Sequence, residues 1–220
     1  MEAPQGGHDE DVHVPAGGVD LPAHLHIPRY AEGIVVFVHG SGSSRHSPRN
    51  RYISDRLVEG GYGSLLFDLL TEEEDRGSAE RFDIDRMTAR LLSVIRWTME
   101  YAPTKGLRIC LFGSDTGAAA ALQSVAELAA QDAGYLVNCV ISRGGRPDLS
   151  MQQLTHVKVP TLLIVGENDS EVLKLNESAR VRLAGETALE TVPRAGHLFE
   201  EPGALARVAD LTLAWLADHV

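Results

Sequence analysis

The sequence predicts a single α/β domain on a mainly parallel sheet, and three observations carry that expectation. Apolar runs such as residues 33–39 are nearly continuous, as strands covered on both faces require. These runs alternate with helix-like segments from residue 33 onward, the pattern of repeated βαβ units. Polar and glycine-rich loops follow the runs, where open parallel sheets place their chemistry.

Taken in order, residues 1–10 read as a loose tail and 11–220 as one domain. Segments 11–14 and 19–27 flank the turn cluster Pro15-Ala16-Gly17-Gly18 and predict an antiparallel hairpin at the sheet edge. Residues 33–39 form the first buried strand, followed by a loop over 40–50 and a short helix over 52–59 that Gly60-Gly61 stops. Residues 63–69 give the next strand. The acidic run Glu72-Glu73-Glu74-Asp75, within 71–80, reads as a solvated loop. Asp83 caps a helix reaching Tyr101, ahead of Pro103. A strand over 107–112 runs into Gly113-Ser114-Asp115-Thr116-Gly117 and an alanine-rich helix over 118–130. Beyond it the pattern predicts strands over 135–142, 161–166 and 189–192, and helices over 148–154, 171–183 and 203–219. No long insertion interrupts residues 130–160, so no cap domain is expected.

Composition bounds the function. A chain of 220 residues suits one core. Hydrophobic residues make up 44% and charged residues 23%, enough for a packed interior. A net charge of −11 repels phosphate backbones and anionic lipid, so nucleic acid and membrane are poor partners and a small-molecule substrate is expected. Cys110 and Cys139 lie in apolar runs without metal-ligand spacing and read as buried small hydrophobes. No metal cluster or dinucleotide fingerprint appears, so no metal or cofactor is expected. Residues 1–10 are polar, and no apolar run approaches the roughly 20 residues that span a bilayer. A cytoplasmic location is the default expectation, and oligomeric state leaves no signature.

The chemistry-bearing motif is Gly113-Ser114-Asp115-Thr116-Gly117, between a strong strand and a strong helix. It has the layout of a nucleophile elbow, in which a sharp strand-to-helix turn lifts its central side chain above the sheet. An ordinary turn with Asp115 as helix cap fits the same letters. Two residues favour the elbow. Asp169 follows the strand over 161–166, and His197 follows the strand over 189–192. They come after Asp115 in the chain order nucleophile, acid, base. His197 is the candidate general base and Asp169 its orienting partner. Each also has a plainer reading, Asp169 as a cap of the following helix and His197 as a loop histidine. An oxyanion or leaving-group site would use Thr116 together with Gly40, Ser41 and Gly42 after the first buried strand. That loop also carries Arg45, His46 and Arg49, and Arg143 and Arg146 follow another strand end. The arginines suit a substrate carboxylate or a local acid equally well.

At this point the chain resembles the compact, capless α/β-hydrolases of the dienelactone hydrolase type, over nearly everything after residue 30. The resemblance rests on His39-Gly40-Ser41-Gly42-Ser43-Ser44-Arg45-His46-Ser47-Pro48-Arg49-Asn50, Phe67-Asp68-Leu69-Leu70-Thr71, the elbow with Ala118-Ala119-Ala120, Ser142-Arg143-Gly144-Gly145-Arg146-Pro147-Asp148-Leu149, and Gly196-His197-Leu198-Phe199-Glu200-Glu201-Pro202-Gly203. It implies an α/β-hydrolase fold with helices on both faces of the sheet. In that family the elbow centre is serine or cysteine, whereas here it is aspartate.

Aspartate changes the chemistry. A carboxylate has a reference pKa of about 3.9 and is ionised at neutral pH. Attack on an ester gives an unfavourable anhydride, whereas attack on an sp³ carbon displaces halide or opens an epoxide and leaves an alkyl-enzyme ester. In this respect the elbow resembles the haloalkane dehalogenase and epoxide hydrolase branch, where it reads G-x-D-x-G. Candidate proton donors are Tyr52, Tyr135 and His46, and Trp97 and Trp215 read as core. Two alternatives stay open: a non-covalent lyase, cyclase or isomerase using Asp115 and His197 as acid and base, and a non-catalytic descendant that binds a ligand.

Overall fold

A computed structural model describes residues 7–40, 42–76 and 82–220. Its backbone is one eight-stranded sheet in the order β1-β2-β4-β3-β5-β6-β7-β8. The strands are β1 (His8–Ala16), β2 (Val19–Ile27), β3 (Gly33–Val38), β4 (Gly63–Phe67), β5 (Arg108–Ser114), β6 (Cys139–Arg143), β7 (Thr161–Gly166) and β8 (Thr187–Val192). The helices are α1 (Pro48–Glu59), α2 (Glu72–Arg76), α3 (Ile84–Glu100), α4 (Thr116–Ala130), α5 (Ser170–Arg180) and α6 (Ala204–His219).

From β3 to β8 all pairings are parallel, while the β1–β2 hairpin adds two antiparallel strands beside β4. Strand alternation divides the interior. Ile34, Val36 and Val38 face a core shared with α3 and α4, whereas Val35 and Phe37 face a core shared with α1 and α6. Helices therefore cover both faces, as expected. On α3 the buried positions Met87, Leu91, Val94, Ile95 and Thr98 recur at helical spacing. The Asp83 carboxylate caps that helix by accepting from the Arg86 N–H at 3.0 Å.

Several boundaries differ from the sequence reading. β1 reaches back to His8, so residues 8–10 of the expected tail belong to the sheet. It also runs through Ala16, which leaves Gly17 and Gly18, both at positive φ, as a two-residue hairpin turn. α1 starts at Pro48 rather than near residue 52, because the Ser47 hydroxyl caps it and Pro48 sits where no N–H is needed. Part of the acidic run is helical: Glu74 is clamped by Arg90 at 2.6 Å from each carboxylate oxygen. The strand expected over 135–142 begins only at Cys139. Gly134–Leu136 is a 3₁₀ turn, and Tyr135 is 79% exposed. The helix expected over 148–154 is two 3₁₀ turns, Pro147–Ser150 and Leu154–His156. The expected loop at 77–80 and the candidate Ser41 lie outside the described residues. No described helix is long and apolar enough to cross a membrane.

Candidate active site

The site is built at the carboxyl ends of β3, β5, β6, β7 and β8. β5 passes into α4 through Asp115, whose backbone takes φ 49° and ψ −125°. A side-chain-bearing residue adopts positive φ only under constraint. Two glycines show the constraint. A β-carbon at Gly117 would lie 2.1 Å from the Val38 carbonyl oxygen, and one at Gly113 would lie 2.5 Å from Ala118 Cα. Helix and strands meet too closely for side chains there. The Asp115 carbonyl is pinned by the N–H groups of Ala118 and Arg146, each at 3.1 Å. Its carboxylate makes no capping bond to the helix. Asp115 thus stands at the N-cap position without the side-chain bond that a capping aspartate makes, and its positive φ fits the elbow layout.

The carboxylate lies against the loop after β3. A β-carbon on Gly40 would sit 2.7 Å from Asp115 Cβ and 2.9 Å from its Oδ2. Thr116 is fully buried at the first position of α4, where N–H groups and the helix dipole favour negative charge. Gly40 and Gly42 line the same cavity as Asp115.

The expected acid and base meet. His197 Nδ1 stands 2.7 Å from Asp169 Oδ2, and Asp169 makes no cap bond to α5. Their loops are stitched together: the Asn168 side chain donates to the Arg194 carbonyl at 2.8 Å, and the Arg194 N–H donates to Glu167 at 2.7 Å. A further bond, from the Gly196 N–H to Glu201 at 3.0 Å, shapes the turn before His197. The carboxylate is 13% exposed and the imidazole 42%, so a half-buried acid orients a more open base.

A cavity of about 440 Å³ opens above the elbow, lined by Asp115, His197, Arg143 and Arg49 among others. His46 stands on the wall between it and a neighbouring cavity of about 470 Å³. A third cavity, of about 240 Å³, also touches Asp115 and His197, together with Asp169 and Arg146.

The four named arginines divide. Arg45 is clamped to Asp68 through its backbone N–H at 2.7 Å and its guanidinium, and it lines the neighbouring cavity rather than the main one. Arg146 forms a fork with Asp148, both bonds 2.8 Å, which raises its already high pKa. Both therefore follow the local-acid reading. Arg143 does not. Its Nη1 is sealed from solvent without a hydrogen-bond partner, and its guanidinium lies 6.0 Å from the Phe199 ring centre. Burial, with a smaller push from Arg49, pulls its pKa down to about 10. Arg49 reaches Glu200 at 3.0 Å, yet its Nε is also sealed and unpartnered.

The remaining candidates fall away from the site. Tyr135 lines a separate cavity with Val125 of α4 and Pro160; Tyr135 precedes β6 and Pro160 precedes β7, whereas the elbow loops follow the strands. Tyr52 is exposed on α1. Trp97 stacks on Tyr101 and Trp215 packs on His219, so both serve packing. Cys110 and Cys139 are buried with sulfurs 3.0 Å apart, and burial pushes the Cys110 thiol well up. Among the described residues no cluster of three or more His, Cys, Asp or Glu is placed to hold a metal ion.

Comparison with known proteins agrees with this architecture. A dienelactone hydrolase from Anabaena variabilis superposes with a TM-score of 0.91 at 45% identity, covering 97% of this chain and 99% of that one. Est1E from Butyrivibrio proteoclasticus, at 14% identity and a TM-score of 0.77 over 94% of this chain and 98% of its own, shares the fold. In sequence the chain is 50% identical over 212 residues to a Mycobacterium tuberculosis H37Rv protein named "Putative phosphoribosyl transferase Rv0571c". That match covers 96% of this chain but 47% of the relative, so the chain spans about half the relative's length. The family model described as alpha/beta hydrolase domain matches residues 31–219. With its elbow, its eight-stranded sheet and that match, the chain belongs to the alpha/beta hydrolase family.

Proposed function

We propose that this chain is a hydrolase in which Asp115 attacks an sp³ carbon, an epoxide carbon or one bearing halide, on a small anionic substrate. The observation that carries the reading is the Asp115 elbow: φ is positive, the carboxylate caps nothing, and it faces a cavity shared with His197. An aspartate that served only the helix would satisfy α4. This one makes no side-chain bond to it.

The steps follow from the groups present. Asp115 Oδ bonds to the carbon while the carbon–halide or carbon–oxygen bond breaks; halide leaves to solvent through the open cavity, and an epoxide oxygen takes a proton from water or from His46 on the cavity wall. The product of that step is an alkyl ester of Asp115. His197, oriented through Nδ1 by Asp169, takes a proton from water at its other ring nitrogen. The water oxygen attacks Asp115 Cγ, and the alkoxide leaves with the proton. N–H groups around Thr116, Gly40 and Gly42 are the candidate donors to the transient oxyanion. Arg143 is the candidate holder of the substrate's anionic group, with Arg49 beside it. The phosphoribosyl transferase name of the relatives belongs to proteins about twice as long as this chain, and nothing in the reading draws on it.

Repeated turnover in ¹⁸O-water tests the reading with panels of anionic epoxides and haloacids. Label is expected in the Asp115 carboxylate, because each hydrolysis leaves one water oxygen there. Continuing turnover with no label in Asp115 would overturn covalent catalysis and favour acid–base chemistry by Asp115 and His197. Saturable binding with no turnover on any panel would favour a ligand-binding role.

A further inference from the structure

Asp115 and His197 touch two cavities, and the proposed reaction has a use for both. During the second half-reaction the alkyl group is still bonded to Asp115 and fills the space in which the substrate arrived. A second path lets water reach the same Cγ while that space is filled. The main cavity is lined by Asp115, His197 and Arg143 but not by Asp169. The smaller cavity, about 240 Å³, is lined by Asp115, His197, Asp169, Arg146 and Glu171, with Val172 and Leu175 of α5 as its apolar wall. A single ordered water needs only about 10–15 Å³ of probe-filled space and two to four polar partners, so this cavity has both room and partners to spare.

Two of its charged groups are held in place. Arg146 is locked in its fork with Asp148 and bonded through its backbone N–H to the Asp115 carbonyl, so it neither swings across the space nor closes it. Asp169 is bound to His197. Carboxylates and a guanidinium around a small volume favour water over an apolar ligand.

We propose that the smaller cavity is the water port of the hydrolytic step, delivering the water that His197 activates against the Asp115 ester while the main cavity stays occupied. The water's proton passes to His197, its oxygen bonds to Asp115 Cγ, and the Cγ–O(alkyl) bond breaks. The departing alkoxide takes the proton from the imidazolium, and the remaining carboxyl proton leaves to solvent through the same opening. The inference rests on the Asp-nucleophile reading, and the following experiment separates the two.

Leu175 is only partly buried and has no part in the chemistry, so enlarging it blocks the port without overfilling a core. Ester formation is followed by intact-protein mass spectrometry after rapid quenching, using a haloacid or anionic epoxide that the wild type turns over. Leu175→Trp is expected to form the ester at the wild-type rate and to lose it at least tenfold more slowly. Leu175→Ala is expected to match the wild type in both steps. Thermal unfolding identifies a Leu175→Trp protein that has not folded, in which case Leu175→Phe replaces it. Unchanged ester decay in a folded, enlarged variant overturns the port and leaves the nucleophile standing. Slowing of formation and decay alike also overturns it, since that pattern marks general damage to the site. Turnover without ester in any variant overturns the nucleophile and the port together.

Discussion

Replacing Arg143 with methionine separates a binding residue from a structural one. Burial lowers the Arg143 pKa from the ordinary guanidinium range to about 10, so its charged form is disfavoured in the fold. A depression of that size corresponds to roughly 2 kcal/mol once the opening of the cavity to solvent is allowed for. The sign follows from a depressed base: the penalty is fully present below pH 10 and is relieved as pH rises above it. Methionine removes the charge and keeps much of the volume against Phe199. The empty Arg143→Met protein is therefore expected to be more stable by about 1–2 kcal/mol. For a domain of this size that raises Tm by about 2–8 °C. The wild type should recover the difference when an anion fills the cavity, by about 1.4 kcal/mol at ten times Kd. Thermal and urea unfolding of both proteins, with sodium acetate or inorganic phosphate and with neutral acetamide as control, makes the measurement. A variant less stable than the empty wild type, or a wild type indifferent to both anions, would refute the argument.

Other expectations follow from the same geometry. Asp115→Ser should lose turnover of epoxides and halides and gain hydrolysis of p-nitrophenyl acetate, read spectrophotometrically, because the elbow and the His197–Asp169 pair stay in place. Gly40→Ala puts a methyl 2.7 Å from Asp115 Cβ, and kcat should fall at least tenfold with a smaller change in Tm. Glu74, held near pKa 2 chiefly by its bond to Arg90, contributes stability that is fully present above pH 4.5 and lost as pH falls toward 2. Glu74→Gln should cost about 2–3 kcal/mol in urea unfolding at pH 7, with the gap from wild type closing at pH 2–3.

The inner strands β3 to β7 were legible in the sequence because they are buried on both faces, and a continuous apolar run has few other homes. The meeting of Asp169 and His197 was legible for a related reason: the loop after a parallel strand is short, so the residue there is held near the strand's carboxyl end. What escaped depends on contacts distant in sequence. Nothing near Glu74 announces Arg90, 16 residues on, so a short helix passed for a solvated loop. Arg45 meets Asp68 across 23 residues, whereas the partner of Arg146 is two residues away and visible in principle. The isolation of Arg143 has no letter of its own, since it is a property of everything packed around it. The Asp115 backbone was undecided for a different reason: G-x-D-x-G admits both a cap and an elbow, and only the approach of Gly113 and Gly117 to their neighbours distinguishes them.

An aspartate at the elbow also changes what the histidine is for. A serine there would need His197 before any bond could form, because its proton must leave first. A carboxylate has no proton to lose, and the start of α4 favours its charge. His197 then enters only when water must be activated, so its removal should divide the reaction in two. His197→Gln is expected to form the Asp115 ester at close to the wild-type rate and then stall, with ester decay slowed by about 10²–10⁴, the usual contribution of a positioned base. Intact mass would show the enzyme carrying one substrate-derived alkyl group. If His197→Gln accumulates no ester on a substrate that the wild type turns over, His197 acts before or during the first bond change. Asp115 would then be one half of an acid–base pair rather than a nucleophile.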